Sequence, residues 1–188
     1  MATYSLDAPL PHGLPVVLDT NVVLSLWMFE DPALVRLRAA VENGLLRPFT
    51  REDCLGELSR VLAYTQFAQP PERQAEIAAT YRARCCVIDV VDAPSCELPA
   101  CLDRDDQKFL EVARDSGAKA LLTRDKLVLK LGRRPAIGAR FAILTPERLQ
   151  ALMTQSGYHT QDTRARRKFT HHNLQRVQLG LDFGLLFH

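Results

Sequence analysis

Residues 16–25, VVLDTNVVLS, place three polar side chains inside an otherwise apolar run. Asp19, Thr20 and Asn21 follow a short apolar segment, and the chain turns apolar again over residues 22–29. A short apolar run that ends in polar residues is typical of a buried strand, and the second apolar run then predicts a buried helix. We therefore expect a core strand with a polar carboxyl end, followed directly by a helix.

The same alternation of strand-like and helical segments continues to about residue 153. Further predicted strands are LLRPF (45–49), CCVIDVV (85–91), AKALLT (118–123) and ARFAIL (139–144). Predicted helices start at Asp31-Pro32, Thr50, Pro70-Pro71, Asp103 to Asp106, Lys126 and Thr145-Pro146. Strands that alternate with helices predict an α/β/α sandwich with a mainly parallel central sheet. We expect an N-terminal extension over 1–14, one domain over 15–153 and a tail over 154–188.

Local signals mark several helix and strand boundaries. Thr50 and Asp53 have the spacing of a capping box, which predicts a helix over about 51–64. Asp105 is the predicted N-cap of the helix that Gly117 ends. The run CCVIDVV is rich in β-branched residues, which predicts a buried strand.

Composition and charge exclude several classes of protein. With 188 residues and 47% hydrophobic side chains, the chain can bury one sizeable core. Its net charge of only +2 gives no indication of a general polyanion or membrane-surface binder. Asp19 and Asn21 in the longest apolar run argue against a membrane span, and the N-terminus lacks the pattern of a signal peptide. Five cysteines without a C-x-x-C motif favour free thiols in a reducing cytosol, which predicts a cytoplasmic protein.

Four acids are predicted to meet at one edge of the sheet. Ligands of parallel sheets bind outside the carboxyl ends of the strands, and Asp19 and Asp125 each follow a predicted strand. Glu57 lies within the apolar stripe of its helix, and Asp106 lies on the inward side of the first turn of another. Because neighbouring carboxylates repel one another, the simplest compensation is a divalent cation.

Some of these acids also have a purely structural explanation. Asp19 and Asp125 are both placed to cap the helices that follow them. Glu57 is within reach of an ion pair with Arg51 or Arg60.

The structural explanation for Asp106 is that a negative charge in the first turn of a helix is favoured by the helix dipole. The joint placement of the four acids favours the cation. Oxygen ligands without histidine or cysteine match Mg²⁺ or Mn²⁺ acting on phosphates. Thr20 and Asn21 would then orient Asp19, with Asp103 as an outer neighbour of the cluster.

Four segments together resemble the PIN domain, and within it the subgroup of toxin components of toxin–antitoxin pairs. They are VVLDTNVVLSLW (16–27), CLGELSRVL (54–62), LDRDDQKFLEVARDSGAKALLTRDKLVLKL (102–131) and ILTPERL (143–149). The resemblance implies a Mg²⁺- or Mn²⁺-dependent endoribonuclease acting on single-stranded RNA, with an antitoxin protein as partner. It also implies that Asp19, Glu57, Asp106 and Asp125 are the catalytic and metal-binding acids, supported by Asn21 and Thr123. The alternative is a non-catalytic PIN-like module that binds RNA or protein.

Basic residues near the predicted site are candidates for contacts with RNA phosphates. Lys108, Arg124 and Lys126 lie beside the acids in the sequence. For Lys126, which is one helical turn from Lys130, a solvated helix face is the alternative.

The tail carries a local charge of +3 over residues 155–188, whereas residues 1–154 carry −1. One prediction is that its basic stretch binds RNA. The other is that its apolar end, LGLDFGLLFH (179–188), docks on the body or on a second subunit, which would form a homodimer.

Overall fold

Five parallel strands form one sheet in this computed structural model, which describes residues 10–91 and 98–155. The strands are β1 (Leu14–Leu18), β2 (Leu46–Thr50), β3 (Cys86–Val87), β4 (Ala120–Leu122) and β5 (Ala142–Leu144). Their order across the sheet is β3-β2-β1-β4-β5, and every neighbouring pair is parallel. The predicted α/β/α fold with a parallel sheet is confirmed.

Eight α-helices connect or follow the strands in the described part of the chain. They are α1 (Thr20–Trp27), α2 (Val35–Glu42), α3 (Glu52–Leu62), α4 (Pro71–Arg82), α5 (Gln107–Asp115), α6 (Lys126–Leu131), α7 (Pro135–Gly138) and α8 (Pro146–Gln155). Three-residue 3₁₀ turns lie at Pro32–Leu34, Thr65–Phe67 and Arg104–Asp106. Gly44 and Gly117 follow α2 and α5 with positive φ, a conformation that glycine adopts without strain.

Two apolar clusters fill the space on the two faces of the sheet. In β1, Val16 and Leu18 belong to the cluster beneath α1, α2, α3 and α8, whereas Val17 belongs to the cluster with α5. β4 alternates in the same way, with Leu122 in the first cluster and Leu121 in the second. The central strands are apolar on both faces because helices cover both faces.

The order of the strands reverses direction between β1 and β4. The carboxyl ends of these two strands are therefore the topological switch point of the sheet, where ligands of such sheets bind. β1 and β4 are paired through to Leu18 and Leu122, and the amide of Asp19 donates to the carbonyl of Leu122 over 3.0 Å. The residues that follow the two strands therefore begin side by side. Their backbone cannot continue the ladder, so the chain leaves the sheet here on both sides of a shallow cleft.

Some predicted boundaries are wrong. The segment CCVIDVV forms only the two-residue β3, and Val90 and Val91 are 70% and 51% exposed. β3 is an edge strand that pairs with β2 alone, so its side chains lack the cover that a central strand has. The predicted capping box at Thr50 is also absent, because the N-cap of α3 is Arg51 and the Asp53 carboxylate accepts hydrogen bonds from the Arg51 guanidinium.

Predictions for residues 1–9 and 156–188 lie outside the described residues, including both alternatives for the tail. Within the described ranges, β1 opens at Leu14 and α8 ends at Gln155. None of the helices described is both long enough and apolar enough to cross a membrane.

Candidate active site

Asp19 lies at the end of β1 as a buried carboxylate with a fixed orientation. It is the N-cap of α1, where its Oδ1 accepts a long hydrogen bond from the Asn21 amide (3.4 Å). Its Oδ2 accepts from the Thr123 hydroxyl over 2.7 Å. Burial raises the pKa of Asp19, the bonds from Thr123 and Asn21 lower it, and the charges of Glu57 and Asp125 raise it further.

Asp125 is likewise the N-cap of the helix that follows its strand, three residues after the end of β4. Its Oδ1 caps α6 by accepting from the amides of Leu127 (2.6 Å) and Val128 (3.0 Å). Its own amide donates to the Thr123 hydroxyl oxygen over 2.9 Å, so Thr123 connects Asp125 to Asp19. Both acids therefore do cap the helices that follow them, as the structural alternative predicts. In the described structure, capping engages only Oδ1 of Asp125.

Glu57 reaches the cleft from α3 and is held by two side chains. Its Oε1 accepts from the Thr20 hydroxyl over 2.6 Å, and its Oε2 pairs with the Lys108 ammonium of α5. The predicted inward position is confirmed, because the Glu57 side chain is only 17% exposed. The predicted arginine partner is wrong for Arg51, which binds Asp53 and Glu111 instead. Thr20 thus orients Glu57 rather than Asp19.

Asp106 has a carboxylate without a hydrogen-bond or ion-pair partner among residues 10–91 and 98–155. It shares a small depression with Asp19, lined also by Phe109, Leu121, Thr123 and Val128. Burial raises the pKa of Asp106 to about 6, and the charges of Asp19, Asp103, Asp125 and Glu57 contribute. No side chain among the described residues therefore pairs with the negative charge at this point of the cleft.

Asp103 supports this helix start from outside the depression. Its carboxylate accepts from the Asp105 amide over 2.9 Å and caps the 3₁₀ turn that leads into α5. The prediction of Asp105 as the N-cap is therefore wrong: Asp106 is the N-cap residue of α5, without a side-chain cap bond, and Asp103 caps the preceding 3₁₀ turn.

The raised pKa of Asp106 gives a testable dependence of stability on pH. The pKa of about 6 means that the folded protein holds this proton up to about pH 6, whereas the unfolded chain releases it near the ordinary aspartate pKa of 3.8. Asp106 therefore lowers the free energy of unfolding progressively as pH rises between these values, and by a constant amount above them. We expect Asp106→Asn to raise the melting temperature of metal-free protein at pH 7 to 8 and to leave it unchanged near pH 3.5. An equal effect at both pH values, measured by thermal denaturation in EDTA, would contradict the crowding of acids.

The three predicted phosphate contacts differ in their surroundings. Lys108 pairs with Glu57, and Lys126 is exposed at the start of α6. Arg124 donates to Ser25 Oγ (3.0 Å), Asp31 Oδ2 (3.1 Å) and Glu147 Oε1 (2.5 Å). These bonds connect the loop after β4 to α1 and α8, so Arg124 also holds the loop that carries Thr123 and Asp125.

Two features of the site were not predicted from sequence. The ion pair of Lys108 with Glu57 joins residues of α3 and α5 that are 51 positions apart, and no spacing rule connects them. Arg51, whose side chain is 8% exposed, joins the start of α3 to Glu111 of α5. Its position before a helix was visible in the sequence, but its burial was not.

The side chains of the cleft suit a hard divalent cation by their chemistry. Asp19, Glu57, Asp106 and Asp125 offer only carboxylate oxygens, and the Asp106 carboxylate has no other compensation in the described part. As placed, however, no three Asp, Glu, His or Cys side chains among residues 10–91 and 98–155 stand close enough together to hold a metal ion. Mutual repulsion acts to keep the acids apart, and Glu57 is already engaged by Lys108.

Comparison with known proteins identifies a family and a fold. A model of the PIN domain family matches residues 15–127, more than half of the 188 residues. No curated protein is significantly similar in sequence.

Two solved structures are similar in fold. The crystal structure of VapBC2 from Rickettsia felis bound to a DNA fragment from their promoter has a TM-score of 0.50 at 15% identity, covering 70% of this chain and 97% of that chain. PAE2754 from Pyrobaculum aerophilum has a TM-score of 0.46 at 16% identity, covering 76% and 97%.

Proposed function

This chain belongs to the PIN domain family, and on that premise we propose that it is a divalent-metal-dependent endoribonuclease that hydrolyses phosphodiester bonds of single-stranded RNA. The observation that carries the proposal is the Asp106 carboxylate, which lies without a partner in the described structure beside the buried Asp19. A protein that used these acids only for structure would gain stability by pairing or replacing Asp106. An uncompensated acid at the switch point of a parallel sheet is better explained by a ligand.

The four acids have distinct tasks in this proposal. Asp19 and Asp106 provide the carboxylates of the depression, and Asp125 and Glu57 complete the ligand set for Mg²⁺ or Mn²⁺. Such a cation, when bound, activates a water molecule for attack on phosphorus and stabilises the charge on the leaving oxygen. Thr123 holds Asp19 through its hydroxyl, as Thr20 holds Glu57, so both acids keep their orientation as substrate binds.

Substrate binding is assigned to the cations at the same edge. Lys126 is exposed directly after Asp125 and contacts the RNA backbone, and Lys108 lies at the acids themselves. Arg124 holds the loop between β4 and α6 through its ion pairs with Asp31 and Glu147, and it contributes positive charge. Phosphate contacts of this kind make RNA affinity depend steeply on salt.

We assign the protein to the toxins of toxin–antitoxin pairs because its four segments, 16–27, 54–62, 102–131 and 143–149, resemble that subgroup. An antitoxin protein is then its partner, and a cytoplasmic location and a homodimer stay predictions from the sequence. Expression of the wild type should arrest growth of a bacterial host, and Asp19→Asn should not. Equal growth of both cultures at equal protein levels would contradict the assignment.

The second candidate is a non-catalytic module that binds RNA or protein. The helix caps made by Asp19 and Asp125 and the ion pair of Glu57 favour it, because three of the four acids have structural partners. A metal site distinguishes the two, since ligands that bind only the folded state raise its stability by mass action. The non-catalytic module predicts equal melting temperatures in MnCl₂ and in EDTA.

The experiment that tests the proposed function is RNA cleavage by purified wild-type protein. We expect a labelled, unstructured RNA to be cut internally in MnCl₂ or MgCl₂, and to remain intact in EDTA. Asp106→Asn protein purified in parallel is the control for contaminating ribonucleases, because it keeps the shape of the site and loses a ligand charge. Cleavage that persists in EDTA, or that is equal in the two proteins, would show that the acidic cleft is not the active site.

A further inference from the structure

Lys108 is a cation in a place that local preferences disfavour. It is the second residue of α5, and positive charge near a helix N-terminus is opposed by the helix dipole. Its side chain is only 12% exposed, although burial of an ammonium is costly. Something in the folded protein must therefore compensate this charge.

The compensation comes from Glu57. The Lys108 ammonium contacts Glu57 Oε2, while Thr20 holds Oε1 of the same carboxylate. The ammonium also lies 5.4 Å from the centre of the Phe109 ring, a favourable cation–π position. Among the described residues, this is the only ion pair made by any of the four acids. Within residues 10–91 and 98–155, Lys108 is thus the one cation that forms an ion pair with these acids.

We propose that Lys108 is a tethered counter-ion of the acidic cleft and competes with the divalent cation for Glu57. In metal-free protein, the ammonium keeps Glu57 inside the cleft and offsets part of the repulsion among the acids. A bound divalent cation displaces the ammonium from Glu57. Because Asp106 and Lys108 are two residues apart at the start of α5, the released ammonium stays at the same edge, where it can hold an RNA phosphate. The inference rests on the proposed function.

The alternative is that Lys108 only orients Glu57 for the metal. The two roles predict opposite changes in metal affinity when the ammonium is removed. A competitor weakens Mn²⁺ binding in the wild type, so its loss tightens binding. An orienting group strengthens binding, so its loss weakens it.

The experiment is a calorimetric titration of full-length protein with MnCl₂ in the absence of RNA. We expect Lys108→Met to bind Mn²⁺ about tenfold more tightly than wild type, the factor for losing one competing charge-assisted hydrogen bond. Lys108→Gln removes the competing charge but keeps a neutral donor near Glu57. It should therefore also bind Mn²⁺ more tightly than wild type. The matched control is Lys130→Met, which removes an exposed lysine of α6 and should leave the affinity unchanged. Thermal denaturation of each variant establishes that it is folded.

A double-mutant cycle tests whether the competition is for Glu57 itself. In a Glu57→Gln background there is no carboxylate to compete for, so adding Lys108→Met should change Mn²⁺ affinity little. Unchanged or weaker affinity in folded Lys108→Met, or tightening that persists without Glu57, overturns the inference alone. If wild-type protein binds no Mn²⁺ at all, the proposed function falls with it.

Discussion

Asp19→Asn is expected to abolish metal-dependent RNA cleavage while leaving the fold intact. The substitution removes the charge of the most buried of the four acids but keeps its shape, so its oxygen can still accept the Thr123 hydroxyl bond. Losing an outer partner of a metal ligand already costs about 10- to 100-fold, so losing a ligand charge should cost more than about 100-fold. The measurement is the initial rate of RNA cleavage at saturating MnCl₂.

Stability provides the control for this variant. Burial raises the pKa of Asp19, which means that the charged form is disfavoured in the folded protein. We therefore expect the melting temperature of Asp19→Asn in EDTA at pH 7 to be equal to or above that of wild type. Cleavage at the wild-type rate by this variant would show that Asp19 is not part of the active site. A large loss of stability would show that its role is structural.

Glu57→Gln is expected to weaken Mn²⁺ binding by at least about tenfold, as loss of a charged oxygen ligand should. The helix should persist, because Leu58 and Leu62 on the buried side of α3 are unchanged. Calorimetric titration with MnCl₂ gives the affinity, and circular dichroism reports the helix content.

The matched control is Glu52→Gln in the first turn of the same helix. Glu52 is exposed and paired with Arg82, away from the cleft acids, so this variant should bind Mn²⁺ as wild type does. Unchanged Mn²⁺ affinity in Glu57→Gln, together with a large drop in melting temperature, would identify Glu57 as a structural partner of Lys108 alone.

The parallel sheet and the meeting of Asp19 with Asp125 were predictable because both follow from chain order. Strands alternating with helices impose a parallel sheet, and residues after two such strands must lie at the same edge. The direction of Glu57 followed from its place in an apolar stripe. The order of the elements and the apolar stripe of one helix can both be identified in the sequence without knowledge of tertiary contacts.

Features that depend on tertiary neighbours were not predictable in the same way. The extent and exposure of β3 depend on its place at the edge of the sheet, and the residues 85–91 themselves do not encode that place. The predicted capping box of Thr50 and Asp53 does not form, because Asp53 pairs with Arg51, which Glu111 of α5 also engages. Likewise the partner of Glu57 is a lysine brought close by the packing of α3 on α5. In each case, long-range contacts override a local preference.

The most direct test of the metal-dependent site is anomalous scattering from crystals of the protein soaked in MnCl₂, recorded at the manganese edge. We predict a manganese peak at the carboxyl ends of β1 and β4, with Asp19 and Asp106 carboxylate oxygens at bonding distance and the Lys108 ammonium displaced from Glu57. A well-ordered cleft without a peak at millimolar MnCl₂, or manganese bound only elsewhere, would contradict the account.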